Sequence, residues 1–425
     1  MRDASLWRVL AGADKTVVEA VEFDQDTAAI VVMVRPVSRA VNRCGVCSRR
    51  CPRYDAGQAR PRRWRGLDVG TVRLQLQYRL PRVRCPEHGV VTAHVPWAKH
   101  GAGHTHAFDE QVAWLAVRSS KSAVAELMRV SWRTVGVIVA RVNAVVEARV
   151  DRLAGLRRIG IDEISYKRGH KYLTIVVDHD ARRLVWAAQG HDKDTLRGFF
   201  DALGPQRSAQ ITHVSADGAD WIAAVLKERC PHAIRCADPF HIVKWATEAL
   251  DVERRRAWQA ARRDGHVAPP ELGRQDSTGM ALDLARARYA LWKNPEDLTD
   301  KQQAQLEWIA ATDPRLHEAY LLKEGLRVVF KTRGTDQDDG LDGWIAWAAS
   351  SNVPAFVKLS TRITKHRAAI RATLKHGLTQ GLIESTNTKI RVLTRMAYGF
   401  HHPAALIALA MLSLGGHPPV LPGRK

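Results

Sequence analysis

The chain has 425 residues, 65 Lys and Arg against 44 Asp and Glu, and a net charge of +21. With 45 % hydrophobic residues and 13 Trp it has material for packed cores, and the length supports two to four units, which excludes wholesale disorder. No apolar run approaches the roughly 20 residues of a membrane span, and with an early Asp3 and no sustained apolar segment no secretory signal is expected at the start. Six cysteines are too few for a disulfide scaffold, so a cytoplasmic protein with a polyanionic partner and no membrane is expected. The charge is localised: residues 31–100 hold 15 basic and 3 acidic side chains, residues 351–425 hold 11 and 1, and the other 280 residues are close to neutral. Two separate basic blocks point to two phosphate-binding surfaces.

Residues 1–100 read as a β-rich region with a zinc ribbon at about 40–95. Cys44-Gly45-Val46-Cys47 and Cys85-Pro86-Glu87-His88 are two knuckles that bring four soft ligands, Cys44, Cys47, Cys85 and His88, to one structural Zn²⁺. Cys51 is a further thiol able to replace one of them. Between the knuckles, the alternation from Thr71 to Tyr78 predicts a strand continuing towards Arg82-Val83-Arg84. Arg49, Arg50, Arg62, Arg63 and Arg65 surround the first knuckle with Tyr54 and Trp64 interleaved, and the planar guanidinium suits phosphate. His94, His100, His104 and His106 fall among glycines and read as a polar linker. Residues 101–150 then read as a helix-turn-helix: a helix over 108–118, a short one over 122–128, a turn at Arg129-Val130, and a third helix capped by Ser131 that presents Arg133.

From 151 to 243 the pattern changes to apolar strands that end in acids. Arg158–Glu163, Tyr172–Asp178 and Arg183–Ala188 are followed by a helix to Leu203, a strand over 211–216 ending at Asp217, and one over 233–237 ending at Asp238. Three strands, helix, strand, helix, strand is the order of an RNase H-like α/β sheet, in which the first and fourth strands are neighbours. Asp162 and Asp217 would then face each other, and two carboxylates at such a distance call for divalent cations, Mg²⁺ or Mn²⁺. Residues 244–354 read as a large α-helical insertion rich in Trp (Trp245, Trp258, Trp292, Trp308, Trp344, Trp347), mostly core. It has a polar loop from Gly265 to Gly279 and an acidic turn at Asp336, Asp338 and Asp339. Residues 355–425 read as the final helices of the catalytic core. Here Glu384 is the lone acid after Asp342, and Glu384, Asn387, Arg391 and Arg395 recur on one helical face, with Lys389 alongside; Ala404–Leu414 reads as a buried terminal helix. The whole is a multidomain α+β chain.

At these residues the sequence resembles the ISL-three family of bacterial insertion-sequence transposases. The matching pieces are CGVC and CPEH, GIDE, SADGADW, ADPFHIVK and GLIESTNTKIRVLTRMAYGF, in order over nearly the whole chain. The resemblance implies a DDE triad of Asp162, Asp217 and Glu384, with Asp238 and His241 as an accessory D-x-x-H pair that orders the site or approaches the scissile phosphate. It departs from the family in having His88 where such ribbons often carry Cys, and Ser385 where Gly usually follows the Glu. The expected activity is transposition: binding of terminal inverted repeats, Mg-dependent cleavage and joining to target DNA, by a homodimer or larger assembly associated with the nucleoid. A catalytically silent DNA-binding regulator, a domesticated transposase and an RNase H-type nuclease are the competing readings.

Overall fold

In the computed structural model the described residues are 3–217, 219–264, 284, 287–331, 336–378 and 381–424. They form two units, Met1–Arg152 with Ile390–Lys425, and Leu153–Lys389.

The first unit opens with helix α1 (Asp3–Leu10), then β1 (Thr16–Asp24), β2 (Ala29–Pro36), β3 (Arg53–Asp55), β4 (Arg62–Arg65), β5 (Arg73–Tyr78), β6 (Arg82–Cys85) and β7 (Gly89–Thr92). One sheet has the order β1-β2-β5-β4, a second the order β3-β6-β7. In β5 burial alternates as the sequence does: Leu74 and Leu76 join Val32, Val34, Trp64 and Trp97 in the core, while Arg73 faces out. The strand expected to continue from Thr71 towards Arg84 is two strands in two sheets. Pro81 lies between them, and a residue without an N–H cannot continue a ladder.

Three helices follow, α2 (His106–Ala116), α3 (Lys121–Met128) and α4 (Trp132–Glu147), each with a side-chain N-cap, from Thr105, Ser120 and Ser131. The histidine segment is not a linker. Arg65 N–H donates to Gly103 O and Thr105 N–H to Arg65 O, both at 2.9 Å, so the segment is a structured rim along β4. The last helix of the chain, α16 (Pro403–Leu414; α5 to α15 follow below), does not close the catalytic core as expected. Its apolar length packs against α4, and Arg152 donates to Met411 O at 3.4 Å.

The second unit carries β8 (Arg158–Lys167), β9 (Lys171–Asp178), β10 (Arg183–Gln189), β11 (His213–Ala216) and β12 (Ile234–Ala237), with α5 (Lys193–Leu203), α6 (Pro205–Ser208) and α7 (Asp220–Arg229) between them. The sheet order is β10-β9-β8-β11-β12. The β8–β9 and β9–β10 pairs are antiparallel, and β11 is parallel to both β8 and β12. Asp162 is not at a strand end. β8 runs five residues past it because β9 continues alongside (Asp162 opposite Ile175), while β11 stops at Ala216 opposite Ile161.

After β12 come α8 (Pro239–Asp264), α9 (Arg288–Trp292), α10 (Asp300–Thr312), α11 (Pro314–Lys331), α12 (Asp336–Ser350), α13 (Pro354–Lys365), α14 (Arg367–His376) and α15 (Gly381–Met396). The expected loop Gly265–Gly279 lies outside the described residues. The expected acidic turn is helical: positions 336, 338 and 339 fall in the first turn of α12. Trp308 and Trp344 are buried in one core, with Trp245, Trp258 and Trp292 packed against it, whereas Trp347 is exposed. That core runs on through Phe356, Ile363 and Ile370, so α13 and α14 share it with α8–α12 and the boundary expected at 354 is not where packing changes.

Candidate active site and metal centre

The zinc knuckles converge in the first unit. Cys44, Cys47, Cys85 and His88 offer ligand atoms that all lie within 4.8 Å of one another. The separations are 3.8 Å for Cys47 Sγ to Cys85 Sγ, 3.5 Å for Cys85 Sγ to His88 Nδ1 and 3.9 Å for Cys44 Sγ to His88 Nδ1. A tetrahedral ion with Zn–S about 2.3 Å and Zn–N about 2.0 Å needs S···S edges of about 3.8 Å and S···N edges of about 3.5 Å, so the donors fit Zn²⁺. Cys51 is outside the set; its thiol donates to Arg49 O at 3.4 Å. Gly45 is required by close packing, since a Cβ there would sit 2.3 Å from the His100 ring and 2.5 Å from Thr92 O.

In the second unit the parallel register builds the other site. Ile161, Ala216 and Ala237 pair across β8, β11 and β12, and each is followed by an aspartate: Asp162, Asp217 and Asp238. Both oxygens of Asp162 are held, Oδ1 by the Glu163 N–H at 2.8 Å and Oδ2 by Asn387 Nδ2 at 2.7 Å. Burial, with the charge of Asp217, pushes its carboxyl above the usual range. Asp217 accepts from Ala219 N–H at 2.8 Å, and its own carbonyl accepts from Arg235 at 2.9 Å. Buried Asp238 accepts from His241 Nδ1 at 2.6 Å, which raises the imidazole above its ordinary value and leaves Nε2 as the free ring nitrogen.

Helix α15 approaches the strand at Gly160, where a Cβ would lie 2.4 Å from Ile383 Cδ1. Its buried face is Ile383, Thr386, Asn387, Ile390 and Leu393. Asn387, expected to touch DNA beside Arg391, is therefore a correction: it is 4 % exposed and bonded to Asp162. Glu384, one turn earlier, is exposed, and the carboxylates of Asp162, Asp217 and Glu384 do not all come within 4.8 Å of one another. The donors present are hard oxygens in mutual repulsion. They fit a divalent cation of the Mg²⁺ kind, which is commonly bound by one or two carboxylates plus substrate phosphates.

Glu163 was missed by sequence reasoning. It is half-buried beside Asp162 and Asp217, hydrogen-bonded by Trp221, and pushed up to about 7 by burial and those two charges. Its only signal in the sequence is its adjacency to Asp162, and β8 continues past both to Lys167. Among the arginines assigned to DNA, Arg49 pairs with Glu87 at 2.7 Å, while Arg50 and Arg133 are exposed. Arg62, Arg63 and Arg65 are engaged internally: Arg62 on Ala102 O at 2.8 Å, Arg63 on Asp24 and Gln77 at 2.8 Å each, and Arg65 on Asp68 at 2.5 Å. Lys389, Arg391 and Arg395 are exposed.

Three family models match these regions. Residues 159–410 match the ISL3 model described as transposase, residues 93–143 the helix-turn-helix domain of transposase family ISL3, and residues 40–88 the zinc-finger of transposase IS204/IS1001/IS1096/IS1165. The chain is 61 % identical over 441 residues to the transposase for insertion sequence element IS1557 of Mycobacterium tuberculosis, strains CDC 1551 and H37Rv, covering 100 % of this chain and 98 % of that protein. It is 26 % identical over 405 residues to the transposase for insertion sequence element IS1001 of Bordetella parapertussis, covering 94 % and 95 %. The chain belongs to the ISL3 family of insertion-sequence transposases, with a zinc ribbon and a helix-turn-helix ahead of the transposase domain. No helix among the described residues is long and apolar enough to cross a membrane.

Proposed function

We propose that this transposase cuts the ends of its element and joins them to target DNA by DDE phosphoryl transfer, on an RNase H-like sheet interrupted by the helical segment α8–α14. The observation that carries this reading is the side-by-side placement of Asp162 and Asp217 by parallel register, with Asn387, three residues after Glu384, bonded to Asp162. Asp162, Asp217 and Glu384 would hold Mg²⁺ or Mn²⁺, which when bound polarises the phosphate and stabilises the leaving oxygen. For all three to share a cation, Glu384 would have to move towards the aspartates when DNA binds. Asn387 fixes Asp162, and Asp238 orients His241 so that Nε2 can donate to a phosphate oxygen. Water attacks phosphorus and a 3′-oxygen leaves with a proton. That 3′-hydroxyl then attacks a target phosphate, forming one phosphodiester as another breaks.

In this reading the zinc ribbon and helix-turn-helix recognise the terminal inverted repeats through Arg49, Arg50 and Arg133. Lys389, Arg391 and Arg395 grip backbone phosphates, and a homodimer or larger assembly holds two ends. Nicking of element-end duplexes in Mg²⁺ tests it. Asp162→Asn and Asp217→Asn should reduce cleavage to background while duplex binding persists, and unchanged cleavage would discard the triad. A wild type that binds but never nicks is the silent regulator, and one that prefers RNA–DNA hybrids is the nuclease.

A further inference from the structure

Helix α15 ends on a residue whose conformation and exposure have no return inside the protein. Tyr398 is 90 % exposed, more than any other large hydrophobic side chain among the described residues, and its φ is +53°. It terminates the helix: its N–H donates to Arg395 O at 3.0 Å, and the Gly399 N–H donates to Thr394 O at 2.9 Å. Helices usually place Gly at such a left-handed position, because a Cβ there crowds the backbone carbonyl. Here Gly follows one residue later. Arg129, another left-handed helix terminator, is compensated, since its side chain bonds Asp68 and Thr71 O. Among the described residues no such bond holds the Tyr398 ring. A strained, fully presented aromatic points outward to a partner.

The surroundings define that partner. Arg391, Arg395 and Tyr398 recur at i, i+4 and i+7 along one exposed stripe, and His401 and His402 continue it beyond the helix. No acidic residue occurs from 385 to 425. Phe400 turns inward at 7 % exposure with the Lys121 ammonium 4.7 Å from its ring centroid, which pins the turn to the start of α3 in the helix-turn-helix. Two guanidinium groups leading to an aromatic face match the backbone and one unstacked base of a nucleic acid strand. We propose that Tyr398 stacks on a DNA base exposed at an element end, positioned by phosphate contacts from Arg391 and Arg395. The proposal rests on the reading of this chain as a DNA-cleaving transposase.

The test uses the full-length protein and element-end duplexes carrying 2-aminopurine at one position at a time. In the wild type one position should change fluorescence on binding. Tyr398→Gly should abolish that response and weaken binding about tenfold, yet raise the thermal midpoint, because Gly suits the left-handed conformation. Tyr398→Trp should keep both response and affinity. Tyr398→Gly with wild-type affinity and response would overturn the proposal. So would a Tyr398→Gly protein that loses stability together with affinity, a Tyr398→Trp protein that binds no better than it, or a wild type that binds with no responding position. A wild type that does not bind the duplexes at all would overturn the DNA reading itself along with the stack.

Discussion

Asn387 joins a helix to a strand 225 residues earlier in the chain, through one hydrogen bond of 2.7 Å to Asp162. Residues that orient a metal-binding carboxylate typically change metal affinity or rate by about 10–100-fold when removed. On the proposed reading, Asn387→Ala should raise the Mg²⁺ concentration needed for half-maximal nicking by about that factor, measured by titrating Mg²⁺ at fixed DNA. A rate loss with unchanged Mg²⁺ dependence would place Asn387 elsewhere in the mechanism. In the sequence this residue shared a helical stripe with Glu384, but it lies equally close to the stripe of Ile383 and Ile390. Spacing alone does not decide which flank is buried, and the absence of a Cβ at Gly160 does. His104 is a second residue-scale case. It stacks on Phe108 at 5.0 Å, and burial with the charges of Arg141 and Arg65 lowers it to about 4. An unfolded His takes up its proton near 6.5, so between these values the unfolded chain binds more protons. The stability contributed by neutral His104 is then complete above that window and lost as pH falls through it. At about pH 5, His104→Phe should keep the stack and raise stability by on the order of 1 kcal/mol relative to wild type, with no gain at about pH 8; denaturant melts at the two pH values check this.

At the scale of elements, the core of the β3-β6-β7 sheet among the described residues is small: Cys44, Cys51, Val83, Cys85 and Ala93 are buried, with Leu80 and Val91 packed against them. So few apolar side chains cannot offset the conformational entropy of some fifty residues, and metal coordination is what supplies the remainder. Chelation, or Cys85→Ser, should remove one zinc per chain and protection from hydrogen exchange in β3, β6 and β7, while β8–β12 stay protected. Exchange read by mass spectrometry checks it, and retained protection after zinc loss would make the ion dispensable. The knuckles were legible because zinc dictates both residue types and spacing. The expected strand from Thr71 towards Arg84 divides between two sheets, because an alternating pattern says which face is buried, not which sheet the strand joins. In the same way β8 was cut short at Asp162: acids at 162 and 163 looked like a strand end, but β9 carries the pairing on to Lys167.

For the whole molecule, charge location was readable while its deployment was not. Of the six arginines assigned to DNA around the first knuckle and in the helix-turn-helix, Arg49, Arg62, Arg63 and Arg65 have internal partners, so the basic block overstates the binding surface. The remaining exposed cations still require steep salt dependence. An interface that neutralises about six phosphates loses on the order of 10³ in affinity between about 50 and 200 mM salt. Double replacement Arg391→Ala and Arg395→Ala should lower the slope of log affinity against log salt by about two, measured by fluorescence anisotropy. An unchanged slope would take α15 off the DNA.

The first unit is discontinuous in the chain: residues 1–152 share it with 390–425, and α16 covers α4. On the ribosome, the early segment must wait for the late one. At about 5–20 residues per second the roughly 240 intervening residues take about 12–50 s to make. Until then α4 lacks its last packing partner, and the carboxylates at 162, 217 and 384 have already been synthesised when that partner emerges. A product that stops before α16 keeps α2, α3 and α4 but lacks the helix that packs on α4. The early helices thus depend for their covering on a segment made roughly 240 residues later.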